Sequence, residues 1–264
     1  MREAVSPDLP VWLFGLPFNV ATVFSILVVT AILVLVCWLI GRRLSVVPRC
    51  LQVVVEFFYN FFYEIVEQAL GKERARRFFP IYSTLFLFLF LSNMIGILPT
   101  ANVEIGGEPY VDINNNGYYD TCDTYTDTNG NGRRDPGFLL PEVIEPTRDA
   151  NTTIGLALLM AFIAHITQIR TKGIRGYIKD YFSPIPFMFL LNIVGRVVEV
   201  VSTSMRLFGN IFGGAVIILI AGYFTSKIVM PIPLQMFFGL FVGLIQAFVF
   251  TMLWIAYLSV TIQD

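Results

Sequence analysis

The chain has 264 residues, 56% of them hydrophobic and only 14% charged, with a net charge of −1 and a mean hydropathy of +0.70. This composition excludes an ordinary water-soluble domain, and no nucleic-acid partner is expected. A bilayer core asks for roughly 20 apolar residues per helix, and Phe18–Ile40, Pro80–Pro99, Thr152–Ile169, Pro184–Ile220 and Ile232–Ile262 reach that length. The fold class expected is an all-α polytopic membrane protein with about five membrane helices.

In chain order, residues 1–17 form a short N-terminal segment and 18–100 the first two spans. Between these spans Leu51–Leu70 is apolar except for Gln52, Glu56, Asn60, Glu64 and Gln68. That four-residue repeat predicts an amphipathic helix over about 50–71 lying at the membrane surface. The acids of its stripe also suit an ion vestibule. Residues 101–149 have a soluble composition, and 150–264 carry the remaining spans. The segments Pro184–Ile220 and Ile232–Ile262 exceed one crossing, which predicts a long tilted hairpin over 184–262.

Charge is segregated along the chain. Arg42, Arg43, Arg49, Lys72, Arg74, Arg76 and Arg77 crowd one linker, and Arg170, Lys172, Arg175 and Lys179 another. Glu104–Asp149 holds ten acids against Arg133, Arg134 and Arg148. The positive-inside rule then puts the basic linkers and C-terminus in the cytoplasm and the N-terminus and 101–149 loop outside. Phe18–Ile40 is too long for a signal-peptide apolar region and is expected to remain in the mature protein. On this topology Cys37, Cys50 and Cys122 form no internal disulfide. The single histidine, His165, near the end of the third span, is expected to pack or sit at an interface.

The external loop repeats one pattern fifteen residues apart: Asp112, Asn114, Asn116, Tyr118 and Asp120, then Asp127, Asn129, Asn131, Arg133 and Asp135, with Gly117 and Gly132 at the sixth place. Calcium takes six to eight hard oxygens and requires a sharp turn between ligands, which this spacing supplies. Asp123 occupies position twelve of the first copy. In the second copy that place is Phe138, so that site either borrows a ligand such as Glu142 or binds weakly. The loop resembles dockerin or thrombospondin type 3 repeats, which implies bound Ca²⁺. Asn, Asp and Gly are also ordinary turn formers, so a turn-rich loop without calcium stays open.

Within Pro184–Ile220 lie Arg196, Glu199 and Arg206. An ionised group at the bilayer centre costs roughly 2.5–3.5 kcal/mol on insertion scales and therefore faces a bundle interior or a wet cavity. Spacings of three and seven place these residues on one stripe, with Asn192, Ser202, Thr203 and Asn210 close to it. Arg196 and Glu199, one turn apart, fit either a helix-pinning ion pair or part of an ion route. Arg206 has no acid three or four residues away, so its counter-charge is expected from another helix or subunit. Gln246 and Tyr257, eleven residues apart, share a face of the last helix.

Ser204-Met-Arg206-Leu-Phe-Gly-Asn210 resembles the signature of subunit a of F-type ATP synthases. Further matches are Asn93-Met-Ile-Gly-Ile-Leu-Pro99, Asp149-Ala-Asn151-Thr-Thr153 and Gln246-Ala-Phe to Tyr257-Leu-Ser. Only the insert, roughly 103–137, falls outside the pattern. The resemblance implies a non-catalytic channel subunit, requiring no cofactor for transport, in a bacterial-type inner membrane. It also implies a c-subunit ring, b-type stalk subunits and, indirectly, the F1 sector as partners. Arg206 would separate two half-channels and meet a carboxylate on the ring. Gln246 would assist it, Asn210 would line the interface, and Asp149 with Glu142 and Glu145 would form an acidic funnel.

The relay positions depart from the family. Where relatives carry a titratable pair, this chain has Ala215 and Gly239, and Asn192 stands where an acid is usual. Glu199 is then expected to act as relay, or the path runs on water and side-chain oxygens, which suits sodium as well as protons. A secondary transporter using Arg196, Glu199 and Arg206 for substrate is the alternative, although no matching halves are evident. A free-standing enzyme lacks any clustered nucleophile and base.

Overall fold

The computed structural model describes residues 11–13, 16–42, 50–97, 103–105, 110–111, 124–127, 138–140, 143–182, 187–224 and 231–263. The helices are α1 (Val20–Arg42), α2 (Cys50–Leu70), α3 (Lys72–Ile95), α4 (Ala150–Tyr181), α5 (Met188–Phe224), α6 (Pro231–Met236) and α7 (Gly243–Gln263), with a π-helical turn over Phe237–Val242 joining the last two. Among the described residues, five helical stretches are long and apolar enough to cross a membrane, α6 and α7 counting as one.

Before α1, β1 (Val11–Leu13) and β2 (Leu16–Phe18) pair antiparallel, a hairpin that hydropathy did not signal. The Asn19 side chain accepts from the Ala21 N–H at 2.9 Å, meeting one of the unpaired donors that every helix start leaves. Only Ala21, Thr22, Ser25 and Val29 of α1 are buried. The rest presents side chains such as Leu27, 63% exposed, to lipid.

The amphipathic helix forms as α2, with Phe62, Val66 and Leu70 buried at four-residue spacing and Glu56, Asn60, Glu64 and Gln68 on the exposed side. Gly71, at φ 79, makes the corner into α3. Only glycine reaches that backbone region cheaply. The basic run Lys72–Arg77, expected as a linker, is instead the first turn and a half of α3. Lysine and arginine are good helix formers, and charge segregation reports depth in the bilayer rather than secondary structure. Pro80 lies inside α3. Ser83 and Thr84 donate to the carbonyls of Phe79 (2.6 Å) and Pro80 (2.8 Å) there, which satisfies their hydroxyls within the helix.

The core is aromatic and joins α2, α3 and α7 around Phe62, Phe86, Tyr82, Phe250, Trp254 and Leu258. Lipid tails are as apolar as these rings, so close packing and polar ties hold the helices more than water exclusion does. Tyr82 donates to the Trp254 carbonyl at 3.2 Å and Ser259 to that of Ala69 at 2.6 Å. Fully buried Asn93 donates to the Gly243 carbonyl at 3.0 Å and accepts from the Thr147 hydroxyl at 2.7 Å. Gly239 and Gly243 let α3 approach: an added Cβ would stand 2.6 Å from Ile97 Cγ1 or 2.7 Å from Asn93 Cβ.

In the insert, β3 (Val103–Ile105) pairs with β6 (Phe138–Leu140), and β4 (Tyr110–Val111) pairs with β5 (Thr124–Tyr125), both antiparallel and one nested in sequence within the other. Of the expected calcium ligands only Asp127 is described. Asp112, Asn114, Asn116, Tyr118, Asp120, Asp123, Asn129, Asn131, Arg133 and Asp135 lie outside the described residues, as does Glu142.

Asp149 caps α4, accepting from the Asn151 N–H at 2.9 Å. At Gly173 (φ 73, ψ 166) α4 turns sharply, and Ile174–Tyr181 folds back along it. Asp180 thereby reaches Lys172 Nζ at 2.8 Å and Gln168 Nε2 at 3.0 Å, while Tyr177 meets the ring of His165 edge-on at 6.0 Å. The apolar part of α5 runs 36 residues, about 54 Å of helix against a core of about 30 Å, so it crosses steeply tilted.

Candidate ion-conducting site

Along α5 the polar stripe divides into two sets. At 192–199 the polar stripe is half-buried against Tyr181 of α4 and Tyr257 of α7. The Arg196 guanidinium stands 4.9 Å from the Tyr257 ring centre and 5.9 Å from that of Tyr181, and Asn192 donates to the Tyr181 carbonyl at 2.9 Å. Glu199 is half-buried. No ion pair joins Arg196 to Glu199: the arginine is held by aromatic faces instead, an arrangement its planar, weakly hydrated cation favours.

Farther along, Ser202, Arg206 and Asn210 are exposed at four-residue spacing, while Thr203, Ser204 and Leu207 are buried against the bundle. One sequence stripe thus becomes two sets, one half-buried against Tyr181 and Tyr257 and one exposed. Asn210 Nδ2 donates to Gln246 Oε1 at 2.6 Å, tying α5 to α7. Gln246 is 4% exposed. Arg206 makes no ion pair or hydrogen bond among the described residues.

A cavity lies on each side of this stretch. The inner one, about 910 Å³, is bounded by Arg196, Glu199, Asn192, Tyr257, Lys172 and Asp180. The outer one, about 400 Å³, is bounded by Glu145, Arg148, Asn93, Gln235, Ala215 and Gly239. The inner cavity touches α5 no farther than Glu199 and the outer one begins at Ile211. Those positions are about 18 Å apart along the helix. Arg206 stands between them.

Ala215 and Gly239 therefore do face the outer cavity, with no titratable group to offer. Its polar side chains include Glu145, expected in the acidic funnel, and Gln235, which the sequence reading did not single out. Gln235 donates to the Gly96 carbonyl, and the Glu145 carboxylate packs against Gly96, which has no side chain to displace it. A polar residue in an apolar stretch was the available signal for Gln235. Asp149, expected in an acidic funnel, does not line the outer cavity and serves α4 as its cap. Ser202 lines neither cavity.

These features define a multi-pass membrane protein with polar space entering its helix bundle from opposite sides of one arginine. The family model described as ATP synthase A chain matches residues 22–259. The sodium ion specific ATP synthase subunit a of Propionigenium modestum is 33% identical over 251 residues, 95% of this chain and 76% of that protein. The ATP synthase subunit a of Moorella thermoacetica is 33% identical over 90% of this chain and 89% of its own length, and that of Bacillus subtilis 28% over 93% of each. The chain belongs to the ATP synthase A chain family. It is an ion-translocating, non-catalytic membrane subunit of the Fo sector, which disfavours the transporter reading.

Proposed function

We propose that the two cavities are the half-channels and that Arg206 is the barrier and switch between them. The observation that carries this reading is their offset along α5, with the exposed, unpaired Arg206 between their ends. A ring of c subunits lies against the Ser202, Arg206 and Asn210 row, and each c carboxylate passes the guanidinium in turn. A fixed cation favours the ionised carboxylate, so the bound ion leaves by one cavity. Past the arginine the carboxylate reloads from the other. Arginine stays charged at any working pH and repels passing cations, so ions do not cross without rotation.

Gln246 and Asn210 hold α5 and α7 in register beside Arg206. Glu199 and Tyr257 serve the inner path with Arg196 and Asn192. Glu145 supplies the outer path with the carboxylate that Ala215 and Gly239 do not. A relative named sodium ion specific and an outer cavity offering oxygens rather than a relay pair support passage of hydrated sodium as well as protons. The basic ends face the cytoplasm of a bacterial-type inner membrane, the N-terminus and 101–149 loop lie outside, and b-type stalk subunits hold the chain against the ring below F1. The insert binds Ca²⁺ through the Asp112 and Asp127 repeats. Calorimetry on the full chain is expected to show calcium uptake below ~1 mM, and none would reject that site.

Arg206→Ala is expected to abolish ion-coupled ATP synthesis while the complex still assembles. Coupled synthesis at the normal rate in that variant would remove Arg206 from the mechanism.

A further inference from the structure

Neither ion cavity uses the groove between α3 and α4 at their basic ends. It encloses about 650 Å³, with Arg74 and Arg77 on one bank and Arg170 on the other. All three guanidiniums are exposed, and among the described residues none enters an ion pair or hydrogen bond. Glu73 is the single acid in the lining. Below this rim the walls become apolar, formed by Phe78, Ile81, Leu159, Phe162, Ile163 and Ile166. From Thr171 at the rim to Leu159 is about 18 Å of helix.

A solvated charge run would not need an apolar trough beneath it, and an ordinary lipid-facing seam would not need three cations above it. The combination fits an amphiphile whose charged end is a phosphate. Guanidinium forks pair with phosphate oxygens in bidentate fashion, and cations on both banks converge on one anion. Basic pockets between membrane helices at the cytoplasmic level suit anionic headgroups.

We propose that this groove is a binding site for one anionic phospholipid. Arg74, Arg77 and Arg170 hold its phosphodiester, and an acyl chain lies along Phe78, Ile81 and Leu159. The lipid ties the start of α3 to the end of α4, next to the fold-back at Gly173. The proposal rests on the membrane placement of these helices and not on the ion route.

The test is native mass spectrometry of the detergent-extracted Fo complex, titrated separately with phosphatidylglycerol, phosphatidylcholine and inorganic phosphate. The wild-type complex is expected to keep one more phosphatidylglycerol than a complex carrying Arg74→Gln, Arg77→Gln and Arg170→Gln together. Each single change should weaken retention about fivefold, from roughly 1 kcal/mol per cation. Arg175→Gln, which removes the same charge outside the groove, should leave retention unchanged. Equal retention of phosphatidylcholine, or equal weakening by Arg175→Gln, would overturn the site. Inorganic phosphate binding as tightly as the lipid would reassign it to a free anion. Should the triple variant fail to assemble, the single variants decide.

Discussion

The inner and outer cavities flank the same helix but are made of different materials. The inner one is walled by ionisable and aromatic side chains, Arg196, Glu199, Tyr257, Lys172 and Asp180, and is the larger at about 910 Å³. The outer one, about 400 Å³, takes small residues from its helices, Ala215 and Gly239, and its charged groups, Glu145 and Arg148, from the turn before α4. Removing large polar side chains from a helix pair lets the helices close. At Gly239 the gap has been taken by Ile97 and the Asn93 carbonyl. A titratable group could then return only from outside that pair.

This contrast can be broken experimentally, beginning with the greatest effect. If Glu145 serves the outer path and Glu199 the inner, Glu145→Gln and Glu199→Gln should each slow ion flux about a hundredfold or more, the low end for loss of a positioned proton-transfer group. Measured flux in reconstituted vesicles that changes in only one variant would confine a carboxylate relay to that side. Flux unchanged in both would leave water and neutral oxygens as the carriers. Next, Gly239→His should not restore a family-like relay, because its Cβ meets Ile97. A loss of about 1–3 kcal/mol is expected from such overpacking, read as a lower melting temperature and partly rescued by Ile97→Ala. Full stability and faster flux would show that the outer cavity can open. The smallest effect belongs to Asn93→Ala, which removes ties to Gly243 and Thr147 each worth about 0.6 kcal/mol in a membrane. A modest melting shift with flux retained is expected, and abolished flux would move Asn93 from scaffold to path.

Much of the architecture was legible because bilayer solvation acts on length and composition. Each span declared itself as an apolar run, and α2 as a four-residue polar repeat. Arg206 stood out by lacking a local acid, and it indeed has no ion partner among the described residues. The basic run after Gly71 was misjudged as a linker, since the same residues are both topology signals and good helix formers. The Arg196–Glu199 spacing permitted an ion pair, yet Tyr181 and Tyr257 took the guanidinium. Both rings lie far along the chain from the pair or across a turn, where local spacing has no reach.

The sequence alone determined which stretches enter lipid, which ends are basic and where the unpaired cation falls, because each depends on the transfer of a short segment from water. Only the tertiary structure decided that the polar stripe of α5 is half-buried at Asn192, Arg196 and Glu199 and exposed at Ser202, Arg206 and Asn210. It alone brought Glu145 to Gly96 and Asp180 back to Lys172 across the turn at Gly173. Those outcomes depend on how tilted helices cross and on where glycine permits close approach, and such contacts join residues that no periodicity connects.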